Sequence, residues 1–144
     1  MPAFDASADI AADPQAVWAV LADPGSWPEW DSGVARVEGE ATPGSKLKLE
    51  TRSNPGKAWP LKVAELEPPR RMVLTGGMPL GLFRGVRTYT LEPGGAGTRF
   101  RVSERFSGPL APLIGRSIPD LQPAFDQFAA GLKARAEGRG ALAP

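Results

Sequence analysis

The chain of 144 residues contains no cysteine and no histidine. The absence of cysteine excludes disulfides, thiolate metal sites, iron–sulfur clusters and cysteine nucleophiles. The absence of histidine removes Ser-His-Asp catalysis, the usual zinc sites and histidine-ligated haem. We therefore expect neither a metal nor another cofactor, and no motif identifies a catalytic residue.

A large charge excess and long apolar runs are also missing. The 17 Lys and Arg residues against 16 Asp and Glu residues leave a net charge of +1, a smaller basic excess than is typical of nucleic-acid-binding proteins. The N-terminal segment lacks the basic and apolar regions of a secretory signal, and no apolar run approaches the ~18 residues of a membrane span. We expect a cytoplasmic protein with no nucleic-acid partner and no stable membrane insertion.

Alternating apolar and polar residues predict strands, which are separated by turns that draw on 16 prolines and 17 glycines. Residues 3–11 form the first predicted strand. Asp13 and Pro14 then supply the N-cap and first turn of a short helix that ends before Pro24. The other predicted strands are residues 34–37, 46–52, 59–66, 71–75, 82–91 and 98–106.

The last predicted element is a long helix from about Asp120 to Glu137, with Gly138 as its C-terminal stop. Its apolar residues recur every three or four positions and form one stripe: Leu121, Phe125, Phe128, Leu132 and Ala136. Because only this helix is long enough to cover the strands, we expect a single α+β domain over residues 1–137, in which a curved antiparallel sheet of about seven strands wraps around the helix. Residues 138–144 are expected to be a flexible tail.

Three local strings occur in the order that this architecture requires. They are ADIAADPQAVWAVLADPGSWPEW at 8–30, EPGGAGTRFRVSERF at 92–106 and FDQFAAGLKARAE at 125–137. Together they resemble the START-like (SRPBCC) superfamily of polyketide cyclase/dehydrase-like proteins, which have the helix-grip fold. The resemblance implies a cavity between sheet and helix that binds lipids, polyketides or other hydrophobic molecules, and a minority of members catalyse cyclisation or dehydration. It implies no catalytic residues, since the family has no universal catalytic signature.

The last two strands place two charged residues on the inner face of the sheet. If the hairpin turns at Gly94 and Gly95, Arg87 lies opposite Val102 and has Glu104 as a diagonal neighbour. Charges that face a core are costly unless they are paired and hydrogen-bonded. The two residues are therefore either a polar anchor for a ligand or a structural ion pair, unless a bulge turns Arg87 outward.

Further residues of the same faces are expected to line the cavity. Alternation on the strands and the helical stripe select Leu47, Leu49, Leu61, Met72, Leu74, Phe83, Phe100, Phe106, Phe125 and Phe128. Trp59 lies either at the cavity mouth or in the core, and the hydroxyl of Tyr89 either meets a ligand or packs in the core. The loop 76–81, with Met78 and Leu80, either covers the cavity as a lid or tucks its apolar residues into the core.

We therefore hypothesise that the chain binds a small hydrophobic molecule in this cavity, and that it can form a homodimer. One alternative is a polyketide cyclase/aromatase or dehydrase in which Arg87, Tyr89 and Glu104 polarise carbonyls and transfer protons. A second is a ligand-free interaction or stress-response module with a filled core. The sequence favours binding over catalysis because it contains no strong catalytic constellation.

Overall fold

The computed structural model describes residues 3–52, 55–95, 97–114, 116 and 121–138. Its strands are β1 (Ala3–Ile10), β2 (Val34–Glu38), β3 (Lys46–Thr51), β4 (Ala58–Glu67), β5 (Arg71–Gly77), β6 (Arg84–Gly94) and β7 (Gly97–Ser107). Its helices are α1 (Pro14–Leu21), α2 (Ala111–Ile114) and α3 (Gln122–Ala136). Short 3₁₀ turns span Pro24–Glu29 and Pro79–Gly81.

The strands form one antiparallel sheet in the order β1-β7-β6-β5-β4-β3-β2. Helix α3 packs mainly against β1, and also against α1 and β7. It runs in the same direction as β1, because Gln122 Nε2 donates to the carbonyl of Asp5 (2.6 Å) near its start and Lys133 Nζ donates to the carbonyl of Asp9 (2.6 Å) near its end. The expected α+β helix-grip architecture, with its curled seven-stranded sheet, is confirmed.

The capping signals explain where the helices begin and end. Oδ1 of Asp13 accepts a hydrogen bond from the backbone N–H of Ala16 at 2.9 Å, as an N-cap residue does. Gly138 follows α3 with a φ of +85°, the left-handed conformation that glycine adopts most readily. Asp120, the predicted cap of this helix, lies outside the described residues, as do residues 139–144 of the expected tail.

Alternation along the strands assigns the faces of the sheet correctly. On β7 the inner residues Phe100, Val102 and Glu104 are buried, whereas Arg99 and Arg101, which alternate with them, are exposed. The same pattern on β1 turns its aspartates to the solvent. Side chains that point to opposite faces in turn are the direct consequence of the pleated backbone.

The register of β6 and β7 differs from the predicted one by two residues. Gly94 pairs with Gly97, and Arg87 lies opposite Glu104 rather than Val102. The two charged residues are therefore direct partners and not diagonal neighbours. A shift of two residues keeps every side chain on its predicted face, because the side chains alternate with a period of two.

Strand β5 extends further than the sequence predicts. It continues through Gly76 and Gly77, which the sequence assigns to a loop, and Gly76 lies opposite Gly85 on β6. Strand β6 begins at Arg84, so Phe83 lies in the connection rather than in the strand. Two glycines consequently oppose each other within the sheet.

The packing of α3 against the segment before β2 predicts a stability effect at Gly131. A Cβ atom at this position would lie 2.1 Å from the carbonyl oxygen of Asp31. We expect Gly131→Ala to lower the free energy of unfolding by about 1–3 kcal/mol through overpacking, although alanine favours helix by about 1 kcal/mol over glycine. Chemical denaturation followed by circular dichroism measures the change.

The control is Ala130→Gly at the neighbouring exposed position of α3. It should cost about 1 kcal/mol from helix propensity alone. A Gly131→Ala variant that is more stable than the unmodified chain would contradict the close approach of α3 to Asp31.

Candidate functional site

Aromatic side chains fill the middle and one end of the sheet's inner face. Trp27 and Trp30 are fully buried, and the ring centroid of Phe128 on α3 lies 5.1 and 5.2 Å from theirs. Tyr89 and Phe100 complete the cluster at 5.7 and 6.1 Å from Phe128. These distances are typical of packed aromatic pairs.

We call the end at which β1 and α3 finish the lower end.

The upper end, where β5 and β7 finish and β6 begins, contains an ion pair. One inner-face row there crosses five neighbouring strands: Phe4, Glu104, Arg87, Leu74 and Val63. Arg87 donates from Nε and Nη2 to the same oxygen of Glu104, Oε2, at 3.1 and 2.7 Å. The guanidinium carbon of Arg87 also lies 4.9 Å from the ring centroid of Phe125 on α3, within cation–π range.

The electrostatics of the pair extend to Tyr89. Burial opposes the charge of Arg87, but the attraction of Glu104, together with an interaction with the Tyr89 hydroxyl, outweighs it and holds the pKa of Arg87 above its ordinary value. Burial raises the pKa of the Tyr89 phenol, and the positive charge of Arg87 offsets only part of that rise. At neutral pH Arg87 is therefore a cation and the Tyr89 phenol is protonated.

The ion pair is deep in the protein but remains accessible. The side chain of Arg87 keeps 21% of its surface accessible and that of Glu104 keeps 10%. Oε1 of Glu104 accepts no hydrogen bond from the described residues. Among those residues the only fully buried side-chain polar atom without a partner is Nε1 of Trp30. Oε1 must therefore be reachable by a molecule the size of water.

Glycine and aromatic residues shape the space beside the carboxylate. A Cβ atom on Gly85 would lie 3.2 Å from Oε1 of Glu104 and 3.2 Å from Cε1 of Phe106. A larger residue would therefore displace one of them, and glycine within a strand often marks such a close approach. The ring of Phe106 also stacks on Phe83, with centroids 5.5 Å apart and an interplanar angle of 11°. The carboxylate and an aromatic wall thus flank the same stretch of backbone.

A sequence profile of the family described as polyketide cyclase / dehydrase and lipid transport matches residues 1–137. The chain belongs to this family. The match confirms the resemblance that the three local strings indicate. No curated protein matches the chain.

Solved structures share the fold of this family member over nearly its whole length. Protein MLL2253 from Mesorhizobium loti has a TM-score of 0.73 at 20% identity, covering 98% of this chain and 100% of that chain. TTHA0849 from Thermus thermophilus has a TM-score of 0.71 at 22% identity, covering 95% and 98%. DynU16, from the dynemicin biosynthetic locus, has a TM-score of 0.71 at 18% identity, covering 96% of this chain and 48% of that chain. Likeness at these identities shows the fold alone.

In the structure of this chain, the residues that were predicted to line a cavity fall into three groups. Arg87, Glu104, Phe83, Phe106 and Phe125 lie at the upper end, where Glu104 and Phe125 are buried and the other three are half-buried. The second group is also buried and consists of Leu47, Leu49, Met72, Leu74, Tyr89, Phe100 and Phe128. The third group is Leu61, half-buried beside Gly76, and Trp59, which is 42% exposed with Nζ of Lys57 4.2 Å from its ring centroid. Contact of these residues with a ligand stays a prediction.

Sequence reasoning missed two features of the upper end. Phe4 lies directly opposite Glu104, and its ring centroid is 6.4 Å from that of Phe106. Alternation places Phe4 on the inner face, but no sequence signal shows that β1 pairs with β7. The opposed Gly76 and Gly85 were hidden because a strand that ends at residue 75 leaves Gly76 outside the sheet.

The connection between β5 and β6 borders the upper end. The backbone N–H of Leu110 donates to the carbonyl of Leu82 at 2.9 Å, which joins this connection to the segment that follows β7. Leu80 has a φ of +63° and is 96% exposed, and Met78 and Leu82 are also exposed. Of the two alternatives for the loop 76–81, the one in which Met78 and Leu80 tuck into the core is therefore wrong. Their function as a lid stays a prediction.

An open depression of about 570 Å³ lies at the opposite, lower edge of the sheet. It is lined by Glu67, Arg70, Arg71, Thr90, Leu91, Glu92 and Pro93. Its two arginines already form ion pairs with Glu67 and Glu65. Because this depression is open and both of its arginines are already paired, the upper end is the better candidate site.

Two general features bear on the kind of site. Within the described ranges, no helix is both long and apolar enough to cross a membrane. The same ranges hold no cluster of three or more His, Cys, Asp or Glu side chains that could bind a metal ion. The chemistry available at the upper end is that of a guanidinium, a carboxylate and a phenol.

The burial of Tyr89 predicts an observable titration. It is the only tyrosine in the chain, so the near-ultraviolet absorbance of tyrosinate reports on it alone. Because burial favours the protonated phenol, we expect tyrosinate to form only above the ordinary phenol pKa of about 10. The variant Tyr89→Phe should show no such absorbance change. A midpoint at or below the ordinary value would show that burial does not outweigh the effect of the Arg87 charge on the phenol.

The ion pair predicts a non-additive effect on stability. Arg87→Met should lower the free energy of unfolding by about 2–4 kcal/mol, because it leaves Glu104 buried without its partner. The double variant Arg87→Met with Glu104→Leu should recover most of this loss. Equilibrium denaturation in urea measures both variants.

The matched control is Arg101→Met on the outer face of β7. Arg101 pairs with Asp5, and both side chains are about half exposed. An exposed pair contributes less than about 1 kcal/mol, so the control should change stability little. Equal losses in the Arg87 single variant and the double variant would show that the two inner charges are not coupled.

Proposed function

We propose that the chain binds a small, largely apolar molecule whose polar end meets Arg87 and Glu104 at the upper end. The observation that carries the proposal is the accessible ion pair on an otherwise mainly apolar inner face. Ligand sites in proteins are typically apolar concavities in which a few polar groups orient the ligand. A guanidinium and a carboxylate held by two hydrogen bonds supply such groups in a fixed geometry.

The surroundings of the pair support an apolar body for the ligand. Phe4, Phe83, Phe106 and Phe125 surround the charged groups, and their rings contact one another in pairs. Apolar surface removed from water contributes roughly 25 cal/mol per Å² to binding. The family description, which names polyketide chemistry and lipid transport, agrees with a ligand of this kind.

A neutral apolar fluorophore, N-phenyl-naphthylamine, tests the proposal directly. Its fluorescence should rise when the purified chain is added, because the dye moves from water into an apolar site. The variant Gly85→Leu places a side chain where a Cβ atom already meets Glu104 and Phe106 at 3.2 Å. We expect this variant to weaken dye binding about tenfold or more, which corresponds to about 1.4 kcal/mol.

The matched control is Gly94→Leu, which lies on the same strand at its lower end. A Cβ atom there makes only ordinary contacts, at 3.7 Å from Cβ of Arg99. Circular dichroism establishes that both variants are folded before their dye binding is compared. Absence of dye binding by the unmodified chain, or equal binding by a folded Gly85→Leu variant, would contradict the proposed site.

A further inference from the structure

This inference rests on the proposed function. The hydrogen bonds of the ion pair occupy one oxygen of the Glu104 carboxylate and leave the other oxygen for a ligand. Both bonds from Arg87 go to one oxygen of Glu104, Oε2. Oε1 therefore remains an acceptor without a partner among the described residues, and it is accessible. It lies beside Gly85, on the side of the pair that faces the upper end.

Arg87 contributes the complementary donors. A guanidinium has more N–H groups than the bonds to Oε2 and the interaction with Tyr89 consume. The side chain of Arg87 keeps 21% of its surface accessible. A ligand at this point therefore meets a free acceptor and free donors on adjacent side chains.

The charge of the site is balanced before any ligand arrives. The positive charge of Arg87 is compensated by Glu104 at 2.7 Å, so the pair offers an anion no net attraction. A carboxylate would accept from Arg87 but has no hydrogen for Oε1, and it would bring negative charge close to Glu104. An ammonium group would donate to Oε1 but cannot accept from Arg87.

We infer that the polar end of the ligand is a neutral group that both donates and accepts a hydrogen bond, such as an alcohol or phenol hydroxyl. Its proton is donated to Oε1 of Glu104, and its oxygen accepts from Arg87. Glu104 is then the residue that selects a neutral polar end over an anionic one. Arg87 both holds Glu104 in place and contacts the ligand.

Three naphthalene compounds of similar size separate these requirements. Naphthol donates and accepts, its methyl ether only accepts, and naphthoate accepts while carrying a negative charge. The flat ring suits the aromatic wall of Phe83 and Phe106. Displacement of N-phenyl-naphthylamine at neutral pH, where naphthol keeps its proton and naphthoate is ionised, gives the three affinities.

For the unmodified chain we expect naphthol to bind about tenfold or more tightly than either the methyl ether or naphthoate, because it alone makes the charge-assisted bond to Oε1. In Glu104→Gln the negative charge is removed, and the preference for naphthol over naphthoate should shrink about tenfold or reverse. The control Asp5→Asn removes an exposed carboxylate on the outer face of β1 and should leave the order of the three compounds unchanged.

The outcomes separate this inference from the proposed function. If naphthoate or the methyl ether binds the unmodified chain as tightly as naphthol, the inference is overturned and the proposed function stands. If the dye itself does not bind the unmodified chain, both are overturned. If the dye binds and none of the three compounds displaces it, only the inference is overturned. Since the order measured on the unmodified chain decides the question, the test does not depend on the folding of Glu104→Gln.

Discussion

The pairing of Arg87 with Glu104 on the inner face is the interaction around which the upper end is arranged. Two charges can occupy an interior only when they satisfy each other, and here the register of β6 and β7 sets them directly opposite. Gly85 leaves room for the carboxylate, and Phe125 from α3 covers the guanidinium. The hairpin register thus places the carboxylate beside Gly85 and the guanidinium beside Phe125.

The two ends of the interior differ in packing: one is a closed aromatic core, and the other holds charged and partly accessible side chains. Trp27, Trp30 and Phe128 are buried against one another toward the lower end, and the burial of each such side chain contributes a few kcal/mol to folding. Because this core supplies much of the free energy of folding, the upper end can contribute less. A chain of 144 residues buries enough surface in this core to remain folded with charged, partly accessible side chains such as Arg87 and Glu104 at the upper end.

The sequence predicts the faces of the strands better than the contacts between them. Alternation correctly turns Glu104 inward on β7, since a period of two is a local property of the backbone. The partner of each residue depends on where the hairpin turns, and Gly94 pairs with Gly97 instead of forming the tip. Alternation also predicts the face of the sheet on which a side chain lies, but not how deeply the side chain is buried. It therefore treats the fully buried Phe100 and the partly accessible Arg87 alike, and only the packing of the helix distinguishes them.

A buried ion pair is a poor device for stability, because its desolvation cancels most of its Coulombic attraction. Two apolar residues in place of Arg87 and Glu104 would stabilise the fold as well or better. The pair nevertheless lies at the accessible end of the interior, with one carboxylate oxygen unoccupied by the described residues. The proposed binding of a ligand would account for that position, whereas a requirement for stability does not.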